Sequence, residues 1–159
     1  MNLAKGIAFG LKFLHENNII HRDLHSKNIL IHEDKPIIAD FGLSKNVNDV
    51  TSNLSLHGFR KYMDPQCFLT SNYKRNQKSD IYSFGMILWE ISSGRPLTKS
   101  DSFNSTIISE SREADIEGTP IEYVVLYKKC WKTKPDERPE AEEVFKKLEN
   151  MKLYPNLLY

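Results

Sequence analysis

Apolar positions change their period several times along this chain, and each change predicts an element. Leu3, Ile7, Leu11 and Leu14 recur at helical spacing, which predicts one amphipathic helix over about 3–16 that stops near Asn17 and Asn18. Two short β-branched runs follow, Ile19-Ile20 and Ile29-Leu30-Ile31, of the kind a folding domain would bury as strands. Between them lies the polar stretch from His21 to Asn28. Glu33-Asp34-Lys35-Pro36 then reads as a turn and Ile37-Ile38-Ala39 as a short returning strand, so a small hairpin is expected.

From Asp40 to Ser55 the chain is polar and almost without periodicity, a length more typical of a functional loop than of a plain connection. After Lys78-Ser79-Asp80 the pattern turns strongly helical. Ile81, Phe84, Leu88 and Ile91 mark one face, and Tyr82, Met86 and Trp89 cover much of the remainder. A helix apolar nearly all round belongs at the centre of a domain. Ser79 or Asp80 is expected to cap its start, and Gly94 with Pro96 to end it.

Residues 98–118 are polar and weakly patterned, and only a short helix is expected there. Residues 121–131 predict a helix, 134–139 a loop, and Ala141, Val144, Phe145, Leu148 and Met151 a closing helical stripe. Glu140, Glu142 and Glu143 fall in the first turn of that last helix, where its dipole favours acids. Lys128, Lys129, Lys132 and Lys134 read as a solvated helix side with no assigned partner. The expected fold class is mainly α with a small β-hairpin, without internal repeat or low-complexity tract.

Composition narrows the function. The chain has 159 residues, 40% of them hydrophobic and 27% charged, enough for one globular domain with a core. A net charge of +1 argues against a nucleic-acid or membrane-surface partner. Cys67 and Cys130 are the two cysteines and have no C-x-x-C spacing, which suggests neither a disulfide framework nor a zinc site and fits an intracellular, cytoplasmic setting. Lys12 interrupts the one N-terminal stretch that faintly resembles a signal peptide, and no run approaches the roughly 20 apolar residues of a membrane span.

The chemistry concentrates between the two β-branched runs. Anchors on either side would hold Asp23 and Asn28 at a fixed separation, close enough for a carboxylate and an amide oxygen to act on one substrate or metal ion; the bland reading is a polar turn. His21 and His25 have H-x-x-x-H spacing, but Arg22 stands where a zinc hydrolase would need glutamate, and the flanks read as strand and loop rather than helix.

His21-Arg22-Asp23 with Asn28 five residues beyond Asp23, followed by Asp40-Phe41-Gly42, resembles the catalytic and magnesium loops of eukaryotic protein kinases. Gly58 to Gln66 resembles the end of a kinase activation segment. Residues 80–85, Trp89 and Arg138-Pro139 resemble the large-lobe helices beyond it, and the wording is nearest the tyrosine-kinase-like group. The resemblance runs from about residue 3 to 151. It implies residues 1–153 as a partial kinase domain, the large C-terminal lobe, with 154–159 as a tail.

The resemblance also implies roles. Asp23 would accept or orient the substrate hydroxyl proton, while Asn28 and Asp40 would hold magnesium and thereby the phosphates of ATP. Gly42 would let the backbone turn after Phe41, and Phe41 would pack beneath the site. His21 would be structural, and Asp80 would receive backbone N–H groups of the catalytic loop, a plain helix cap being the alternative. Arg22 would pair with a phosphate on Thr51, Ser52 or Ser55, hydroxyls that otherwise simply solvate a surface loop. Gln66 stands where the family usually has a glutamate that pairs with the arginine matching Arg138, so a neutral-to-charged hydrogen bond is expected instead of an ion pair.

Departures from the family bear on specificity and activity. Serine/threonine kinases commonly carry a lysine two residues after the catalytic aspartate and a threonine after the glycine matching Gly58; here His25 and Phe59 stand there. Lys27 resembles the basic residue of tyrosine kinases, and Lys61 also fits them, whereas Tyr62 fits the serine/threonine pattern. A protein substrate phosphorylated on serine or threonine is the favoured expectation. These 159 residues contain no glycine-rich phosphate loop, strand lysine or partner glutamate, so the small lobe or upstream region is expected to be missing. An isolated large lobe is expected to be inactive and to expose the apolar surface on which a small lobe would sit. The alternative is a non-catalytic kinase-like binding module.

Overall fold

Helix α1 (Leu3–Glu16) buries Ile7, Leu11 and Leu14 and leaves Phe9 and Phe13 exposed, so its apolar stripe is set by the core rather than by hydrophobicity alone. The computed structural model describes residues 3–47, 60–97 and 113–151. Strand β1 (Ile19–Ile20) pairs antiparallel with β4 (Lys45–Asn46), and β2 (Ile29–His32) pairs antiparallel with β3 (Lys35–Ile38). Helices α2 (Gln66–Leu69), α3 (Gln77–Ser93), α4 (Ile121–Cys130) and α5 (Ala141–Asn150) complete a mainly α fold.

The hairpin is shorter at its turn than the sequence suggests. Glu33 and Asp34 alone make the connection, both at positive φ (47° and 59°), and β3 already begins at Lys35 with Pro36 opposite Ile31. Positive φ at both central residues matches the right-handed twist of the strands they join. Nor are both β-branched runs buried: Ile20 is in the core, but Leu30 and Ile31 are more than half exposed. Helix α1 covers one side of the hairpin, where the absent side chain of Gly10 lets Ile38 Cδ1 approach within 3.2 Å of an ideal Cβ position, and it leaves the other side open.

Helix α3 is the central element. Ile81, Phe84, Leu88 and Trp89 are fully buried, and Trp89 Nε1 donates to the Ala114 carbonyl at 2.9 Å. Its cap is Asn76 rather than Ser79 or Asp80. The Asn76 side chain accepts from Lys78 N–H, and Ser79 Oγ reciprocally accepts from Asn76 N–H, a capping box that leaves Asp80 free for the loop beneath. Gly94 ends the helix at φ 64°, as a left-handed C-cap requires.

Gly85 lets α3 and α4 approach closely: an added Cβ would lie 2.8 Å from Cys130 Cβ and 3.0 Å from Trp131 N. Tyr123 on α4 donates its hydroxyl to the Leu88 carbonyl at 2.9 Å. Lys12 on α1 pairs with Glu142 on α5 at 2.8 Å. The lysines near α4 also have partners, Lys128 with Asp115 (2.6 Å), Lys129 with Glu143 (3.0 Å) and Lys134 with Glu137 (3.8 Å). Residues 113–118 form irregular chain and a turn; the remainder of the 98–118 expectation lies outside the described residues.

Candidate active site

The polar loop between β1 and β2 hangs from Asp80, in the first turn of α3. Asp80 Oδ2 accepts His21 N–H at 2.8 Å and His15 Nε2 at 3.0 Å, and Oδ1 accepts Arg22 N–H at 2.8 Å. A buried carboxylate is costly unless its lone pairs are satisfied, and these three donors satisfy it while fixing the start of the loop. His15, at the end of α1, contributes to this anchor without having been singled out by the sequence pattern. Its only signal was a histidine one position beyond the apolar stripe, on the side turned toward α3.

His21 is buried and ties this loop to the next. Its Nε2 meets the Ala39 carbonyl at 3.0 Å, while Nδ1 accepts Asp23 N–H at 3.3 Å. Those two partners assign the ring proton to Nε2. Ala39 N–H in turn donates to the Asn28 carbonyl at 2.8 Å, which places Asp40 near the end of the loop from His21 to Asn28. Phe41 packs on His21 with ring centroids 5.3 Å apart but remains 48% exposed.

Asn28 is buried, and its Nδ2 donates to the Asp23 carbonyl at 3.0 Å. The amide nitrogen is thereby committed to the loop, and the amide oxygen is the atom left for a cation. Asp40 is exposed and sits at φ 62°; its Oδ1 accepts Gly42 N–H at 3.2 Å. The left-handed residue in this turn is Asp40 rather than Gly42, where an added Cβ would crowd the Asp40 carboxylate at 3.2 Å. One amide oxygen and one carboxylate are hard donors, too few to cage a metal alone but suited to magnesium that keeps waters and phosphate oxygens in its remaining positions. No group of three or more histidine, cysteine or acidic residues placed to hold a metal ion by themselves occurs among the described residues.

Asp23 is partly exposed, with Oδ2 3.6 Å from His25 Nε2. Burial holds the His25 imidazole below the ordinary histidine value, against the pull of Asp23. Lys27 lies exposed on the short 3-10 turn 26–28. Arg22, at φ 71°, has its guanidinium pushed below the usual range by burial first and by the neighbouring Arg75 second.

A family profile described as protein tyrosine and serine/threonine kinase matches residues 1–148. The chain belongs to that family. Mitogen-activated protein kinase kinase kinase 13-B of Xenopus laevis is 37% identical over 152 residues, covering 92% of this chain and 16% of that protein. The human mitogen-activated protein kinase kinase kinase 13 is likewise 37% identical over 152 residues, 92% of this chain and 15% of its own length. A probable LIM domain-containing serine/threonine-protein kinase of Dictyostelium discoideum is 36% identical over 149 residues, 91% of this chain and 22% of its own. The chain therefore spans less than a quarter of the curated relatives it matches, and within the kinases it falls in the tyrosine-kinase-like group.

The kinase lobe corrects one pairing. Gln66 does not meet Arg138: its Nε2 donates to the Thr133 carbonyl (3.0 Å) and its Oε1 accepts from Thr70 (2.8 Å). Asp64, two residues upstream, takes Arg138 in a bidentate ion pair, so Arg138 meets a carboxylate here and not the neutral amide expected. Tyr62, read in the sequence only for specificity, also bridges two elements. Its hydroxyl donates to Glu90 Oε1 at 2.7 Å and meets Ser26 Oγ at 2.9 Å, linking the catalytic loop to α3; burial raises its pKa above the ordinary tyrosine value. Thr51, Ser52, Ser55, Gly58 and Phe59 lie outside the described residues.

Proposed function

We propose that the protein containing this chain transfers the terminal phosphoryl group of ATP to a protein hydroxyl, on serine or threonine in preference to tyrosine. The observation that carries this reading is the orientation of Asn28. Its amide nitrogen is spent on the Asp23 carbonyl, which leaves its oxygen for a cation, and the backbone bond from Ala39 N–H to the Asn28 carbonyl brings the neighbouring Asp40 to the same end of the loop.

In this reading Asp23 accepts the proton of the attacking hydroxyl, and its partial exposure gives a substrate access to it. Asn28 and Asp40 hold magnesium, which when bound neutralises charge on the phosphates. Lys27, exposed on the 26–28 turn next to Asn28, would offer a cation to the transferred group. His21 and Asp80 keep the loop in register through their backbone bonds, because phosphoryl transfer depends chiefly on positioning. Arg22 is the proposed partner of a phosphate on Thr51, Ser52 or Ser55, the half-buried guanidinium beside Arg75 being what supports it.

The 159 residues taken alone contain no glycine-rich loop or strand lysine to grip ATP, and their own transfer activity is expected to be slight. The test is phosphate incorporation from labelled ATP into a general protein substrate, with phosphoamino-acid analysis, using the complete protein and the 159-residue chain in parallel. Magnesium-dependent phosphoserine or phosphothreonine from the complete protein is the expected result. No transfer by the complete protein under any metal would favour a non-catalytic binding module, and robust transfer by the short chain would overturn the expectation for it.

A further inference from the structure

The two peptide units flanking Arg22 are each held at both edges. Arg22 occupies the left-handed region at φ 71°, which a non-glycine residue keeps only where its surroundings over-determine it. In the unit before it, the His21 carbonyl accepts from Ser44 Oγ at 3.2 Å and Arg22 N–H donates to Asp80 Oδ1 at 2.8 Å. In the unit after it, Asp23 N–H reaches His21 Nδ1 at a long 3.3 Å, and the Arg22 carbonyl accepts from Arg75 Nη1. Ser44, Asp80 and His21 belong to the loops and helix already described. Arg75 comes from the connection before α3 and has no role so far.

Its placement is costly by itself. Arg75 is nine-tenths buried, and its charge opposes that of Arg22. A guanidinium keeps such a position only if its donors find good acceptors there. The carbonyl it meets belongs to the peptide plane from which the Asp23 Cα–Cβ bond projects. Rotation of that plane changes ψ of Arg22 and φ of Asp23, and through them the direction of the Asp23 carboxylate. With the N–H edge held only by a long contact, the carbonyl edge is the one that resists such a rotation.

We propose that Arg75 is a positioning residue for Asp23, clamping the Arg22 carbonyl so that the carboxylate is presented at a fixed angle. The inference rests on the reading of Asp23 as the base, but the clamp itself can be read without phosphotransfer. Arg75→Met keeps the apolar stem and removes the donor; Arg75→Lys keeps a charged donor.

The test compares amide hydrogen exchange by NMR at Asp23 and at Leu88, in the centre of α3, for the 159-residue chain and both variants. Exchange at Asp23 should rise about tenfold in the Met variant with Leu88 unchanged, and Lys should restore most of the protection. Unchanged exchange at Asp23, or a rise matched at Leu88, would overturn the clamp. In the complete protein, Arg75→Met should lower kcat about tenfold while KM for ATP stays within about twofold. Faster exchange at Asp23 with kcat unaltered would overturn the positioning role. Should the wild-type complete protein transfer no phosphate, the kinase activity reading fails, and the exchange ratio still decides the clamp.

Discussion

Asp64 and Arg138 form a bidentate ion pair with both side chains fully buried, Nη1 to Oδ2 at 2.7 Å and Nη2 to Oδ1 at 2.8 Å. The remaining capacity of each group is used as well. Asp64 accepts from Tyr73, Ser79 and Gln66 N–H, and Arg138 donates to the carbonyls of Lys78, Lys132 and Thr133. A buried pair satisfied on all sides fastens the segment ending at α2 to the base of α3. Removing one partner strands the other charge.

Asp64→Ala should therefore destabilise the chain by about 3–5 kcal/mol in urea unfolding, whereas Gln66→Ala, which loses neutral hydrogen bonds to the Thr133 carbonyl and from the exposed Thr70 hydroxyl, should cost about 1–2 kcal/mol. Equal losses for the two substitutions would show that the ion pair is not the anchor.

Gly85→Ala should cost about 1–3 kcal/mol, because the new methyl meets the Cys130 side chain and the Trp131 backbone nitrogen where α3 and α4 are closest. Backbone cannot step aside as a flexible side chain can. Calorimetry would check it, with Gly94→Ala as the contrasting case in which strain comes from φ 64° and nothing lies nearby.

Tyr62→Phe removes the hydroxyl shared by Ser26 and Glu90 and leaves Glu90 Oε1 with Leu97 N–H alone. The expected loss is about 1–3 kcal/mol, since a buried acceptor is left under-satisfied. If unfolding is unaltered, the bridge between the catalytic loop and α3 contributes nothing.

The cysteines give a pH test. Burial, aided by Asp64, pushes the Cys67 thiol up to about 11, and burial pushes Cys130 up to about 12. Thiolate is the reactive form, so alkylation of the folded chain should be slow at pH 8 and rise with pH toward 11, first at Cys67, which is only partly buried. Mass spectrometry after iodoacetamide treatment measures it; rapid labelling of Cys67 at pH 7 would contradict the environment described.

Asp23→Asn should reduce phosphotransfer by the complete protein at least about a hundredfold while leaving the unfolding midpoint of this chain nearly unchanged. The Asp23 carboxylate contacts His25 at a long 3.6 Å and the loop is held chiefly through its backbone, so little of the loop's anchoring depends on the charge. A large stability change would move Asp23 from chemistry to scaffolding.

Local periodicity alone was sufficient for the helices. Leu3–Leu14, Ile81–Ile91 and Ala141–Met151 repeat every three or four residues, and the structure has α1, α3 and α5 there because those stripes must be buried. Residue order also sufficed for the family, since the motif residues Asp23, Asn28 and Asp40 that carried the resemblance all lie within residues 1–148, the stretch the family profile matches. Tertiary packing decided what no spacing carries. It turned Leu30 and Ile31 outward, made Asn76 the cap that leaves Asp80 to the loop, and put Asp64 rather than Gln66 on Arg138. It also set His15 on Asp80 and brought Tyr62 and Arg75 to the loop from His21 to Asn28 from distant parts of the chain. The division has one physical cause: helical stripes and motif spacings are set by neighbours in sequence, whereas the partner of a buried charge is set by which donors and acceptors packing brings within about 3 Å.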